Sequence, residues 1–260
     1  MTFGAPDLAF VRAVPESFPR CLRSGEAAPE VGRARAQHAA YVAALRGLGV
    51  AVIEVAADEA YPDCCFIEDT AVLADGRGVI TRPGAPSRVG EREAVAGALA
   101  PHVELVRMAA PARLDGGDVM RVGAALFVGL SSRSDRAGAE SLAAATGLEL
   151  HAVPVAAGLH LKSAVTIVGD RTVIADLRAI DAGPLRAAGL EVLPAREGAG
   201  GNVLAVGEHL LVSAAAPGTA AMLAARGYSL TTLDVSEFHK ADGALTCLSL
   251  RRAPAGCWCA

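Results

Sequence analysis

Aromatic side chains are scarce in this chain, at 4% of 260 residues. Any core must therefore be filled mostly by alanine, valine and leucine, and a hydrophobic content of 52% supplies enough of them. Long apolar runs are missing, since none reaches the ~18 residues that argue a membrane span. The opening Met1-Thr2-Phe3-Gly4-Ala5-Pro6-Asp7 lacks the basic region and apolar segment of a secretory signal. That predicts a cytoplasmic protein. A formal net charge of -4 gives no general attraction to nucleic acid or anionic lipid, so neither is expected as a partner. A disulfide framework is also unexpected. The six cysteines are Cys21, Cys64, Cys65, Cys247, Cys257 and Cys259, in a long chain without a signal. Cys257-Trp258-Cys259 stands too far from further ligands for a zinc site and reads as a frayed tail.

What is present is a repeating alternation of strand and helix patterns. Ala9 to Arg12 reads as a strand. From Glu30 to Leu48 apolar positions recur at Val31, Ala34, His38, Tyr41, Val42, Leu45 and Leu48, a helical spacing that Gly47 and Gly49 stop. Val50 to Val55 has the β-branched content of a buried strand. Phe66 to Leu73 reads as another strand, interrupted by Glu68, Asp69 and Thr70. Strand patterns at 78–82, 125–130, 172–175 and 209–212 then each lead through a helix to a second strand. The period is ~40–50 residues, as in repeat architectures. With the N-terminal unit the count is five, and an α/β sandwich without symmetry is the alternative. Ser134 reads as the N-cap of the third unit's helix.

Three polar stretches interrupt the apolar background: Leu114-Asp115-Gly116-Gly117-Asp118, Leu159-His160-Leu161-Lys162-Ser163 and Asp242-Gly243-Ala244-Leu245-Thr246-Cys247. The last reads as a carboxylate and a glycine turn leading into a short strand that carries a thiol. Cysteine, histidine and carboxylate are the parts of a thiol-dependent hydrolase. Each residue also has a plainer reading. Free cysteine is among the most buried types, His160 between two leucines suits a core position, and Asp118 beside glycines suits a turn. Arg88 and Arg133 suit a solvated surface, except that they follow the first strands of successive repeats, where loops converge on one mouth.

These stretches, with Phe66-Ile67-Glu68-Asp69 and Ile80-Thr81-Arg82-Pro83-Gly84-Ala85-Pro86-Ser87-Arg88, resemble the dimethylarginine dimethylaminohydrolase family, in order and in spacing, from about Phe10 to Leu250. The resemblance implies a five-bladed α/β propeller of pseudo-symmetric strand-helix-strand repeats, one catalytic domain over residues 1–260. It makes Cys247 the nucleophile, His160 the general acid/base and Asp115 the carboxylate that orients it. Glu68, Asp69 and Asp242, beside Ala241, become the surroundings of a guanidinium. Asp63 is expected to meet the substrate's α-ammonium, and Arg88 and Arg133 its carboxylate. Phe18 falls in a lid loop over the site. No metal or organic cofactor is implied, and the state is expected to be monomer or homodimer.

The implied reaction converts Nω-methylated arginine to citrulline and a methylamine. A deiminase or amidinotransferase on a related guanidine is the first alternative. The chain is short for an arginine deiminase, and Glu68 stands where deiminases tend to have arginine. A non-catalytic propeller, like the ribosome anti-association factors, is the second. Those lack the catalytic set, whereas cysteine, histidine and carboxylate all occur here in order.

Overall fold

The computed structural model describes residues 2–254 and 256–258. The strongest helical pattern in the sequence forms the helix Val31–Gly47, whose buried face includes Ala34, His38, Tyr41, Val42 and Leu45. Glu30 caps it, its carboxylate accepting the N–H groups of Gly32 at 2.8 Å and Arg33 at 2.7 Å. The helix lies between the strands Leu8–Arg12 and Ala51–Val55, which pair in parallel. Such a pair needs a crossover, and an amphipathic helix supplies it.

The same unit occurs five times, as five three-stranded sheets. In each, a short first strand pairs antiparallel with the middle strand, and the middle strand pairs parallel with the third. The first strands are Ala71–Ala74, Val119–Val122, Val165–Ile167, Val203–Val206 and Leu250–Arg252. One strand from each sheet, this first one, lines a single interior cavity. The sheets therefore stand as blades around a channel, and the fold is a five-bladed α/β propeller. Leu250–Arg252 joins Leu8–Arg12, so the two ends of the chain share one blade.

A short helical turn precedes each channel strand: Ile67–Thr70, Gly116–Asp118, Leu161–Ala164, Gly198–Gly201 and Thr246–Leu248. The first touches the second, the second the third, and the third the fourth. Asn202, just after the fourth, donates to Thr246 Oγ1 at 2.9 Å, and the last turn touches the first. The turns close a ring at one end of the channel.

Four expectations change. The stretch at 66–73 is a helical turn followed by a strand, because Glu68 and Asp69 belong to the ring of turns. Cys247 likewise sits on the turn Thr246–Leu248, not on a strand. The helix Arg136–Thr146 is capped by Asp135, which accepts the Gly138 N–H at 2.8 Å, and the Ser134 hydroxyl goes to Asp118 instead. The described part of the tail is built in rather than frayed: Cys257–Trp258 pairs with Thr2–Phe3, and Trp258 is buried. Cys21, Cys64, Cys65, Cys247 and Cys257 are free thiols, and Cys259 lies outside the described residues. Among the described residues, no helix is long and apolar enough to cross a membrane.

Candidate active site

A cavity of about 290 Å³ opens above the ring of turns, near the lower end of ordinary small-molecule sites. Asp63, Asp69, Arg88, Arg133, His160, Ala241, Asp242 and Cys247 all line it, although the sequence separates them by up to 184 positions. Asp115 stands behind His160, fully buried, with Oδ2 2.9 Å from Nε2. The other Asp115 oxygen accepts the Gly84 N–H at 2.7 Å. Asp69 Oδ1 lies 3.9 Å from the second ring nitrogen, Nδ1. The Gly116-Gly117 pair allows this packing. A β-carbon on Gly116 would lie 2.0 Å from the Glu68 carbonyl, and one on Gly117 would lie 2.7 Å from His160 Nδ1.

Electrostatics divide the two reactive groups. Burial opposes charge on His160, but Asp69, Asp115 and Asp118 prevail and raise its pKa to about 9. Burial and then the charges of Glu68 and Asp69 push the Cys247 thiol up to about 12, with Lys162 pulling weakly the other way. At neutral pH these shifts favour imidazolium and thiol. Burial would raise the Asp69 carboxyl as well, yet the charges of His160 and Arg88 hold it below the usual range.

Beneath Cys247, Glu68 faces the channel. Its Oε1 accepts from Lys162 Nζ at 2.6 Å and Arg251 Nη2 at 2.8 Å, while Oε2 is buried with no hydrogen-bond partner. A buried carboxylate oxygen without a donor is costly, and a cationic ligand would satisfy it. The two arginines differ. Every nitrogen of Arg88 is bonded: Nε to Glu91, Nη1 to Asp69 at 2.6 Å, and Nη2 to Glu91 at 2.7 Å and the Phe66 carbonyl at 3.0 Å. Arg133 Nη1 is buried without a hydrogen-bond partner, 3.8 Å from Asp115. Arg133 is thus the freer anchor for a carboxylate, and Arg88 is first a counter-charge for Asp69 and Glu91.

The lid departs further from expectation. Phe18 is fully buried and packs on Phe66 and Phe238, below the cavity rather than in it. The loop's contribution to the cavity comes from Leu22, Arg23 and Ser24. Asp63 accepts the Leu22 N–H at 3.1 Å, and Asp242 accepts both the N–H and the hydroxyl of Ser24 at 2.6 Å. Asp242, which also lines the cavity, thus ties this loop down from a left-handed backbone with φ 55°. Donor atoms of Asp69, Asp115 and His160 fall within 4.8 Å of one another. Each is already engaged, and Arg88 and Arg133 bring positive charge to the same spot, which disfavours a further cation there.

A family profile described as N,N dimethylarginine dimethylhydrolase, eukaryotic, matches residues 18–195. An N(G),N(G)-dimethylarginine dimethylaminohydrolase from Streptomyces coelicolor is 40% identical over 225 residues, 85% of this chain and 86% of its own. The chain belongs to the dimethylarginine dimethylaminohydrolase family. The Pseudomonas aeruginosa dimethylarginine dimethylaminohydrolase is 31% identical over 86% of this chain and 90% of its own. A solved structure of the enzyme from that organism, a cysteine-to-serine variant complexed with citrulline, superposes with a TM-score of 0.89 over 95% of this chain and 99% of its own, at 28% identity.

Against that family frame, the sequence reading missed the groups that act behind the cavity. Lys162 and Arg251 hold Glu68, Glu91 holds Arg88, and Ser24 holds the lid. Lys162 stood in a quoted stretch, two residues after His160, and charge among apolar neighbours was its signal. Arg251 lies beside a second arginine in the strand Leu250–Arg252, and nothing local marks it as the buried one of the two. Ser24 carried none, because nothing local distinguishes it from other loop serines.

Proposed function

We propose that this protein hydrolyses Nω-methylated arginines to citrulline and a methylamine, with Cys247 as nucleophile. The observation that carries the reading is a family member's cavity lined by a thiol and by a histidine that a buried aspartate holds, while Glu68 and its unsatisfied oxygen line the channel below. The substrate's guanidinium enters between Asp69 and Glu68 and brings positive charge beside the sulfur. That offsets the carboxylates that suppress ionisation, and the thiol releases its proton to solvent. The thiolate attacks the central guanidinium carbon. His160, already an imidazolium, protonates the departing methylated nitrogen, and loss of the amine leaves a thiouronium on Cys247. Neutral His160 then takes a proton from the attacking water. Collapse of that adduct breaks the carbon–sulfur bond, the sulfur leaving as thiolate and taking up the hydroxyl proton, which releases citrulline and restores the thiol. Arg133 and Arg88 meet the α-carboxylate, and Asp63 the α-ammonium once it yields Leu22.

In this reading residues 1–260 act as one catalytic domain, as a cytoplasmic monomer or homodimer, with no cofactor and with a small molecule as partner. The test is incubation with asymmetric dimethylarginine, monomethylarginine, arginine and agmatine, measuring citrulline and released amine. Turnover of the methylated substrates is expected, and its loss by at least roughly a thousandfold in folded Cys247→Ser and His160→Ala variants. Agmatine lacks the carboxylate and forfeits ~1.5–3 kcal/mol, about ten- to hundredfold. Arginine turned over best would make the protein a deiminase. Near-normal activity in either folded variant would remove that residue from the mechanism.

A further inference from the structure

Asp118 closes the Gly116–Asp118 turn and has no exposed surface. An aspartate serving its own turn bonds amides of that turn, but this carboxylate reaches elsewhere. Oδ1 accepts the N–H of Leu161 at 2.8 Å, the residue after His160. Oδ2 accepts the hydroxyls of Ser131 and Ser134, both at 2.6 Å. Ser134 Oγ in turn accepts the N–H of Asp115 at 3.0 Å, and Ser131 Oγ accepts the N–H of Ser134 at 3.2 Å. With those acceptor positions used, each hydroxyl proton goes to Asp118. The site is an ionised carboxylate's, receiving donors on every side. Gly129 on the neighbouring strand leaves the room, since a β-carbon there would lie 2.5 Å from Oδ1.

We propose that Asp118 is a positioning residue that fixes both members of the acid–base pair, His160 through the Leu161 amide and Asp115 through Ser134. It joins two turns of the ring and a neighbouring loop that the chain supplies separately: the turn at 116–118, the start of the helix at 161 and the loop at 131–134. Its charge also faces His160, together with Asp115 and Asp69 and against Arg88, Arg133 and Lys162 across the site. Burial raises the Asp118 carboxyl above its ordinary value, and His160, the two serine hydroxyls and the Leu161 amide offset only part of that. The inference rests on the reading of His160 as acid and base.

Asp118→Asn keeps the shape and the acceptor for Leu161 but removes the charge and one acceptor. The expected result is a fall in kcat of roughly ten- to hundredfold with KM near its wild-type value. The second readout needs no turnover: His160 is titrated by NMR, its signal among the six histidines identified by its loss in His160→Ala. In Asp118→Asn the imidazolium is expected to become about tenfold more acidic. An unmoved titration overturns the proposal whatever the rate. Ser134→Ala leaves both charges and cuts only the link to Asp115. It is expected to lower kcat at constant KM, and a wild-type kcat there overturns the proposal too. A wild-type chain releasing no citrulline would instead refute the functional reading, and the titration would still decide the role of Asp118.

Discussion

At the scale of residues, the site is governed by an excess of buried carboxylates over cations. The identities of Cys247, His160 and Asp115 were legible in the sequence because each stands as a polar group in apolar surroundings. Their ionisation was legible only in part, because it depends on neighbours from other blades. Glu68 and Asp69 raise the thiol, and Asp69 with Asp115 raises the imidazole. Both groups hold their protons more tightly folded than unfolded. The stability from His160 is therefore whole below about 6.5 and is lost as pH climbs through about 9. That from Cys247 is whole below 9.0 and is lost towards about 12. Thermal midpoints are expected to fall between pH 6.5 and 9 in the wild type and to stay flatter there in His160→Ala. Ultraviolet titration of thiolate absorbance, wild type against Cys247→Ser, is expected to find the resting thiol protonated at neutral pH. A resting thiolate already formed below 6.5 would mean that His160 and Cys247 form a standing ion pair instead.

At the scale of elements, the ring of helical turns explains why the site residues are scattered in the chain. Each turn ends where a channel strand begins, so each blade delivers one short segment to the same rim. The middle and third strands and the longer helices were readable from periodicity. Of the first strands only Ala71–Ala74 was read in part, inside the longer stretch 66–73, because three or four residues are too few to display a period. The turns were hidden for another reason, since their residues are chosen for contacts with other turns. Gly116 is there for the Glu68 carbonyl, and Asn202 for Thr246. The lid depends on partners just as remote: Ser24 meets Asp242 across 218 positions of sequence. Ser24→Ala removes one hydrogen bond to a charged, solvent-facing acceptor, worth roughly 0.5–1.5 kcal/mol. Trypsin cleavage at Arg20 and Arg23 is expected to accelerate about three- to tenfold, and citrulline is expected to slow it again. Equal cleavage rates in the two proteins would show that Asp242 does not hold the lid.

At the scale of the whole molecule, the placing of Cys247 depends on closing the ring. The blade that receives Leu8–Arg12 has no channel strand until Leu250–Arg252 arrives from the other end of the chain. Cys247 sits just before that strand, on the turn Thr246–Leu248. A second pairing outside the blades reinforces the closure, Thr2–Phe3 with Cys257–Trp258. Trp258 is the only tryptophan in the sequence and is 1% exposed. It tilts against Phe3 with ring centroids 4.9 Å apart and packs into the core between the third and fourth blades. The sequence disguised this, because two cysteines and a short, glycine-containing tail gave no strand pattern. In a chain so poor in aromatics, alanine, valine and leucine fill the blades, and one large indole fills the gap where the ends meet. Trp258→Ala leaves a cavity that small neighbours cannot close, with an expected loss of about 3–5 kcal/mol in urea unfolding followed by circular dichroism. The variant that remains folded is expected to keep the wild-type kcat, because Leu250–Arg252 still pairs with Leu8–Arg12. A loss below about 1 kcal/mol, in the range of ordinary surface substitutions, would mean that the blade pairing alone closes the ring.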